Sequence, residues 1–219
     1  MQFHKLIESL KPGETVLIEY DSKTFPIYEL YSAVKYAREK GFKILIDDYL
    51  DTLYIYNVHL ELSKLDTSIF DNVSVIKIGG HRGVGNVLES ISLRSGPIIK
   101  KEYEKAYKKA IKENEGIFLN PVLGLEKFLL LSESKLDILE EIGDISLYVG
   151  DKRRIAIYFI NKHVLEGLEF NPLPILEAIA TTVINIKKKG RIHQFNVIKS
   201  INPEIDDKAF DYDLDSLEE

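Results

Sequence analysis

Three short constellations in this sequence carry the residue types that bind anions or metals. Ser22-Lys23-Thr24 follows the apolar run 15–20 and precedes a helical pattern with Pro26 in its first turn. A lysine beside a hydroxyl at a strand-to-helix turn is where a phosphate loop sits: backbone amides wrap the phosphates and the lysine meets the outer ones. Asp47 and Asp48, with Asp51 close behind, end the next apolar run. Paired carboxylates there can hold a cation or act as a base, and open α/β sheets bind ligands at the carboxyl ends of their strands. Gly79-Gly80-His81-Arg82-Gly83-Val84-Gly85 follows a third run, where His81 and Arg82 can grip an anion.

Each constellation also has a plainer explanation. A phosphate loop of the form G-x-x-x-x-G-K-[ST] needs glycine where the backbone bends and approaches closely. Counting back from Lys23 puts Ser22 at the second glycine and Leu17, inside the strand, at the first. The turn is therefore too short to encircle a triphosphate. Thr24 can instead cap the helix, with Glu29 favouring its dipole and Lys23 solvated. A helix N-terminus alone still holds a small anion. The aspartates can cap the next helix. The order of the glycines at 79–85 is not that of a dinucleotide fingerprint. Asn120, at the end of the short run 116–119, stands where such ATPases carry a metal-binding acid, and a neutral amide is a poor magnesium ligand. The five histidines show no metal-ligand spacing, and cysteine is absent, so no disulfide, thiol catalysis or cysteine-held metal arises. No cofactor is expected.

The periodicity that positions these residues alternates strands and helices. Strands are expected at 15–20, 43–47, 73–78, 116–119 and 154–161, with a hairpin of 182–187 and 192–199 across Lys188-Lys189-Gly190. Helices are expected at 4–10, from Ile27 to a stop at Gly41, over 53–62, 99–114 and 175–180, with two more within 123–142. Near-continuous apolar strands signal a parallel sheet buried on both faces. The expectation is one α/β domain over 1–203, with a mostly parallel sheet and an antiparallel hairpin at its end.

The bulk numbers agree. With 219 residues, 45% hydrophobic and 29% charged, the chain suits one globular domain. No apolar run reaches the roughly 18 residues that span a bilayer, and the charged N-terminus does not read as a secretory signal, so the cytoplasm is expected. Glutamine and methionine are scarce while lysine and glutamate abound, a bias of proteins from very hot environments. Net charge is −6, and residues 204–219 carry eight carboxylates against Lys208. The body is near neutral, so nucleic-acid binding is not expected, and the lysine-rich segment 99–114 reads as an ordinary amphipathic helix. The acidic end is expected to be solvated and mobile, or else an arm for a protein partner.

With these residues in hand, the chain resembles an uncharacterised archaeal family of RecA/KaiC-like ATPase fold, known from hyperthermophiles. Residues 11–18, KPGETVLI, look like the run leading those ATPases into their phosphate loop. Residues 44–48, ILIDD, are similar to a strand whose end carries paired catalytic glutamates, a place Asp47 and Asp48 would take. Residues 175–199 are similar to the last strand pair, in which Lys199 matches a lysine that reaches a neighbouring subunit's phosphate and Ile201 departs from an arginine. The resemblance implies a three-layer RecA-like scaffold that self-associates. Glycines missing before Lys23, Asn120 and Ile201 each remove something that ATP hydrolysis uses. Two functions follow as expectations: a catalytically degenerate domain acting by association, or a nucleotide or phosphate-ester enzyme with a rebuilt site.

Overall fold

The computed structural model describes residues 3–94, 96–112 and 116–214. In chain order the elements are α1 (Phe3–Glu8), β1 (Thr15–Tyr20), α2 (Ile27–Glu39), β2 (Lys43–Tyr49), α3 (Thr52–Leu62), β3 (Ser74–Ile78), β4 (Asn86–Ile91) and α4 (Gly96–Lys112). They continue as β5 (Phe118–Leu123), α5 (Leu125–Leu129), α6 (Lys135–Ser146), β6 (Arg154–Asn161), α7 (Lys162–Glu166), α8 (Leu173–Ile179), β7 (Thr182–Lys189), β8 (Ile192–Ser200) and β9 (Ala209–Asp213).

The strands make one sheet ordered β4-β3-β2-β5-β6-β1-β7-β8-β9. The first seven run parallel, and β8 and β9 close one edge antiparallel. Because side chains alternate along a strand, β1 sends Val16, Ile18 and Tyr20 to a core shared with α1, α2 and α3. Leu17 faces the opposite core, formed with α4 to α8. The result is a three-layer, RecA-like α/β fold. Among the described residues no helix is long and apolar enough to cross a membrane.

Two sequence expectations change here. β5 does not end at Asn120 but runs through Asn120 and Pro121 to Leu123. The segment 204–214 does not trail into solvent: β9 pairs along β8, with Phe210 and Tyr212 packed on the core shared with α2. Ala209, Asp211 and Asp213 point outward, so part of the acidity lies on an edge strand, where charge discourages further strand addition. The rest of that stretch, 215–219, lies outside the described residues.

Candidate functional site

The turn after β1 is built around an aspartate that sequence reading passed over. Asp21 Oδ1 accepts from the Lys23 amide and from the Thr24 hydroxyl, both at 2.9 Å, and the Thr24 amide donates to the Asp21 carbonyl at 3.0 Å. Burial acts to raise the Asp21 carboxyl, but the Thr24 hydroxyl and the Lys23 amide outweigh it and hold it below the usual range. An Asx turn of this kind uses the donors that a phosphate would need. Thr24 is buried and does not cap α2; Pro26 occupies the cap position without a side-chain bond. Lys23 is exposed. Ser22 is tied to the end of β6: Asn161 Nδ2 donates to its hydroxyl at 3.2 Å, and its amide donates to His163 Nδ1 at 3.4 Å.

The glycine loop after β3 is closed in the same way. His81 and Arg82 donate their amides to the Asp51 carboxylate at 2.8 to 3.0 Å. The approach requires Gly80, at φ +75°, because a Cβ there would lie 2.3 Å from Asp51 Oδ1. Asp51 also receives Lys77, a lysine buried inside β3, whose Nζ donates to Asp48 at 3.2 Å. Burial works against ionised Asp51, but Lys77 and the two loop amides carry its carboxyl down to about 2. The side chain of Arg82 lies over the Tyr54 ring at 5.6 Å.

Asp47 and Asp48 face opposite layers. Asp48 accepts from the Leu53 amide at 2.8 Å and so fixes the start of α3. Its carboxyl is raised, chiefly by burial. Asp47, only 2% exposed, accepts on Oδ2 from Tyr103 at 2.9 Å and from Asn120 at 3.1 Å. Burial pushes it up to about 6, and its Oδ1 has no hydrogen-bond partner among the described residues. Asp47 and Asn120 are thus brought together, but in mid-sheet rather than at a strand end.

Lys199 sits in β8 opposite Val183, which pairs with Leu17 near the start of β1. It is level with a point about 10 Å short of the turn that carries Lys23, so within one chain the two do not meet.

Further ionisable groups stand in buried strands and helices. Glu19, in β1, faces the Glu177 carboxyl of α8 and accepts weakly from Asn185 at 3.4 Å; burial and the neighbouring carboxyl raise it well above its ordinary value. Glu126, in the first turn of α5, is pushed up to about 7 by burial. It lies within electrostatic reach of the Tyr20 and Tyr56 hydroxyls, which meet at 2.9 Å. The sequence did carry a signal for several of these: a charge inside an otherwise apolar strand, as in TVLIEY, SVIKI and RIAIYFI, almost always has a buried partner.

The fold has relatives. A structure from Pyrococcus horikoshii OT3 matches at 31% identity with a TM-score of 0.82, over 96% of this chain and 98% of that one. A KaiC-like protein from the same hyperthermophilic archaeon matches at 15% identity and a TM-score of 0.63, over 91% and 85% of the two chains. Flagellar accessory protein FlaH from Methanocaldococcus jannaschii matches at 12% identity and 0.58, over 92% and 85%. These last two share the fold alone. Among curated proteins none matches the chain. The model of one family, described as Pyrococcus protein of unknown function, DUF257, matches residues 5–210. The chain belongs to that family.

Proposed function

We propose that this chain is a RecA-like domain that has given up nucleotide turnover and acts by association, with a second copy of itself or with another protein. One observation carries the reading: the Asp21 carboxylate takes the Lys23 amide and the Thr24 hydroxyl, the donors a phosphate would use. A carboxylate already in that position repels a triphosphate as well as occupying its donors. The metal-binding end is changed in the same direction, since β5 closes on Leu123 and Gly124 with no carboxylate at that point. The α5–α6 region exposes Leu130, Leu131, Leu136, Leu139 and Leu147, an apolar surface of the kind that marks an interaction site. Calorimetry with ATP and magnesium tests the first half, with no binding expected; micromolar binding with turnover overturns it. Sedimentation over a concentration series, comparing the parent with Leu136→Glu, tests the second half, and a strictly monomeric parent that captures no partner would sink it.

A second reading is favoured by a different observation. Glu19, buried in β1, faces the half-buried Glu177 of α8 close below the same turn, at the ligand-binding end of the sheet. A carboxyl that burial raises to about 7 can serve as a general acid, so a phosphate-ester enzyme with a rebuilt site would use Glu19 together with Lys23 and Asp47. Lys23→Ala and Asp47→Asn should then abolish hydrolysis of a generic phosphate ester while the melting temperature holds. If the parent shows no such hydrolysis, this reading falls.

A further inference from the structure

We infer that the groove between α4 and α6 binds an alkylammonium group, a primary amine on an apolar stem, whose head is received by Asp47 and Glu141 among tyrosine rings. The outer groove has a volume of about 690 Å³. Its apolar walls are Leu93, Phe128 and Leu131, and its carboxylates are Glu133, Asp137, Glu140, Glu141 and Asp144. At Lys100, Glu141 and Asp144 it adjoins a narrow inner pocket of about 50 Å³, which reaches Asp47 and the rings of Tyr49, Tyr103, Tyr148 and Tyr158.

The inner pocket is what raises this above a cluster of surface acids. Asp47 is buried, lines the pocket and keeps one carboxylate oxygen without a hydrogen-bond partner. Such an atom needs a donor, because a buried acceptor left unmade costs the full desolvation of the group. Arg154 also lines the pocket and its charge acts on Asp47, but no hydrogen bond joins the two among the described residues: its guanidinium lies over Tyr148 at 5.2 Å and Tyr107 at 5.8 Å, donates to the Tyr158 hydroxyl at 3.2 Å and leaves Nε without a partner. Glu104, Glu141 and Asp144 in the same lining keep the pocket negative beside it. A primary ammonium is compact, brings three donors and is attracted to ring faces. It suits a volume too small for a sugar or a base.

The outer groove fits the rest of such a ligand. Lys100 is paired with Asp144 and Arg94 with Glu102, so the remaining carboxylates leave the groove negative. Its leucine and phenylalanine walls match a run of methylenes. Burial, then the nearby Asp144, brings the Glu141 carboxyl up to about 7, a state that an arriving cation relieves. The amine has two sources with one chemistry, a free diamine or polyamine and the lysine of a partner protein.

Calorimetry on the full chain at about pH 8 and about 0.15 M salt separates them, using cadaverine, spermidine, a blocked Gly-Lys-Gly peptide and neutral pentanediol. One amine per chain is expected to bind, and pentanediol is not. Asp47→Asn and Glu141→Gln should each weaken binding by about tenfold or more, the loss of one charge-assisted hydrogen bond. Leu131→Lys, at an exposed position, introduces a competing ammonium and should abolish it, which keeps the test decisive if Asp47→Asn fails to fold. Binding of the free amines alone assigns a small-molecule ligand; binding of the peptide alone assigns a partner's lysine. No amine binding, or binding indifferent to Glu141→Gln and Leu131→Lys, overturns the proposal.

Discussion

The Asn120 side chain donates to the Leu45 carbonyl at 2.8 Å, the hydrogen bond that a residue other than proline would supply at position 121. The ladder between β2 and β5 pairs Lys43 with Phe118 and Ile44 with Leu119, then resumes only at Asp47 with Val122. Proline has no N–H to give, and in a central strand that leaves a carbonyl unpaired. Asn120 mends the gap and, with the same amide, steadies Asp47. Its role is therefore structural, whatever ligand the sheet holds.

Asn120→Ala should cost about 2 kcal/mol, because two buried acceptors lose their donor. Pro121→Ala restores an N–H, so Asn120→Ala should cost about 1 kcal/mol less in that background. Urea unfolding of the four proteins of this cycle measures the coupling; strict additivity would refute the repair.

Asp21→Ala should free the Lys23 amide and the Thr24 hydroxyl. The variant is expected to lose about 1 kcal/mol of stability and to gain weak inorganic phosphate binding that the parent lacks. Phosphate titration followed by amide chemical shifts of residues 22–24 reads this directly. Unchanged shifts in the variant would mean that the turn is no anion site even when vacated.

Gly80→Ala should destabilise by at least about 2 kcal/mol. The new Cβ meets the Asp51 carboxylate, and φ +75° is itself unfavourable for alanine. The damage should spread to Lys77, whose partner Asp51 must move. Gly96→Ala, where a Cβ meets nothing within 4 Å, serves as the control and should change stability little.

Stability should be greatest in acidic solution, at about pH 4, and fall from there towards pH 8. Asp47 is raised from an ordinary 3.8 to about 6, and Glu126 and Glu141 from 4.5 to about 7, each chiefly by burial. A carboxyl whose folded pKa lies above its unfolded one binds its proton more tightly when folded. Its stabilisation is complete below the unfolded value and is lost as pH rises through the folded one. Asp51, lowered to about 2, works oppositely: its contribution is present above an ordinary 3.8 and disappears as pH falls towards 2. Thermal melts across this range should show the maximum, and Glu126→Gln should flatten the alkaline side. A melting temperature rising steadily to pH 8 would contradict the assignment.

Much of this molecule was legible in its sequence, because periodicity is a local property. β1 and β6 stand at the expected residues, and the hairpin of β7 and β8 follows its turn signal. β4 gave no signal because it lies at the sheet edge and is mostly exposed, so no apolar run marks it. β9 was obscured by its acids, which face outward while Phe210 and Tyr212 face in. Asn120 was misplaced because Pro121 reads as a strand end, and only the side-chain repair lets the strand continue.

By itself the sequence determined the β/α order, the buried parallel strands and the lack of glycine before Lys23, since these depend on residue types at short range. Only tertiary structure decided that Asp51 closes the glycine loop at residues 80–82, and that Asp47 meets Tyr103 from α4 and Asn120 from β5. Most of those contacts join residues tens of positions apart. They exist because strand register and crossover packing set which side chains face one another, and neither is written in any local pattern.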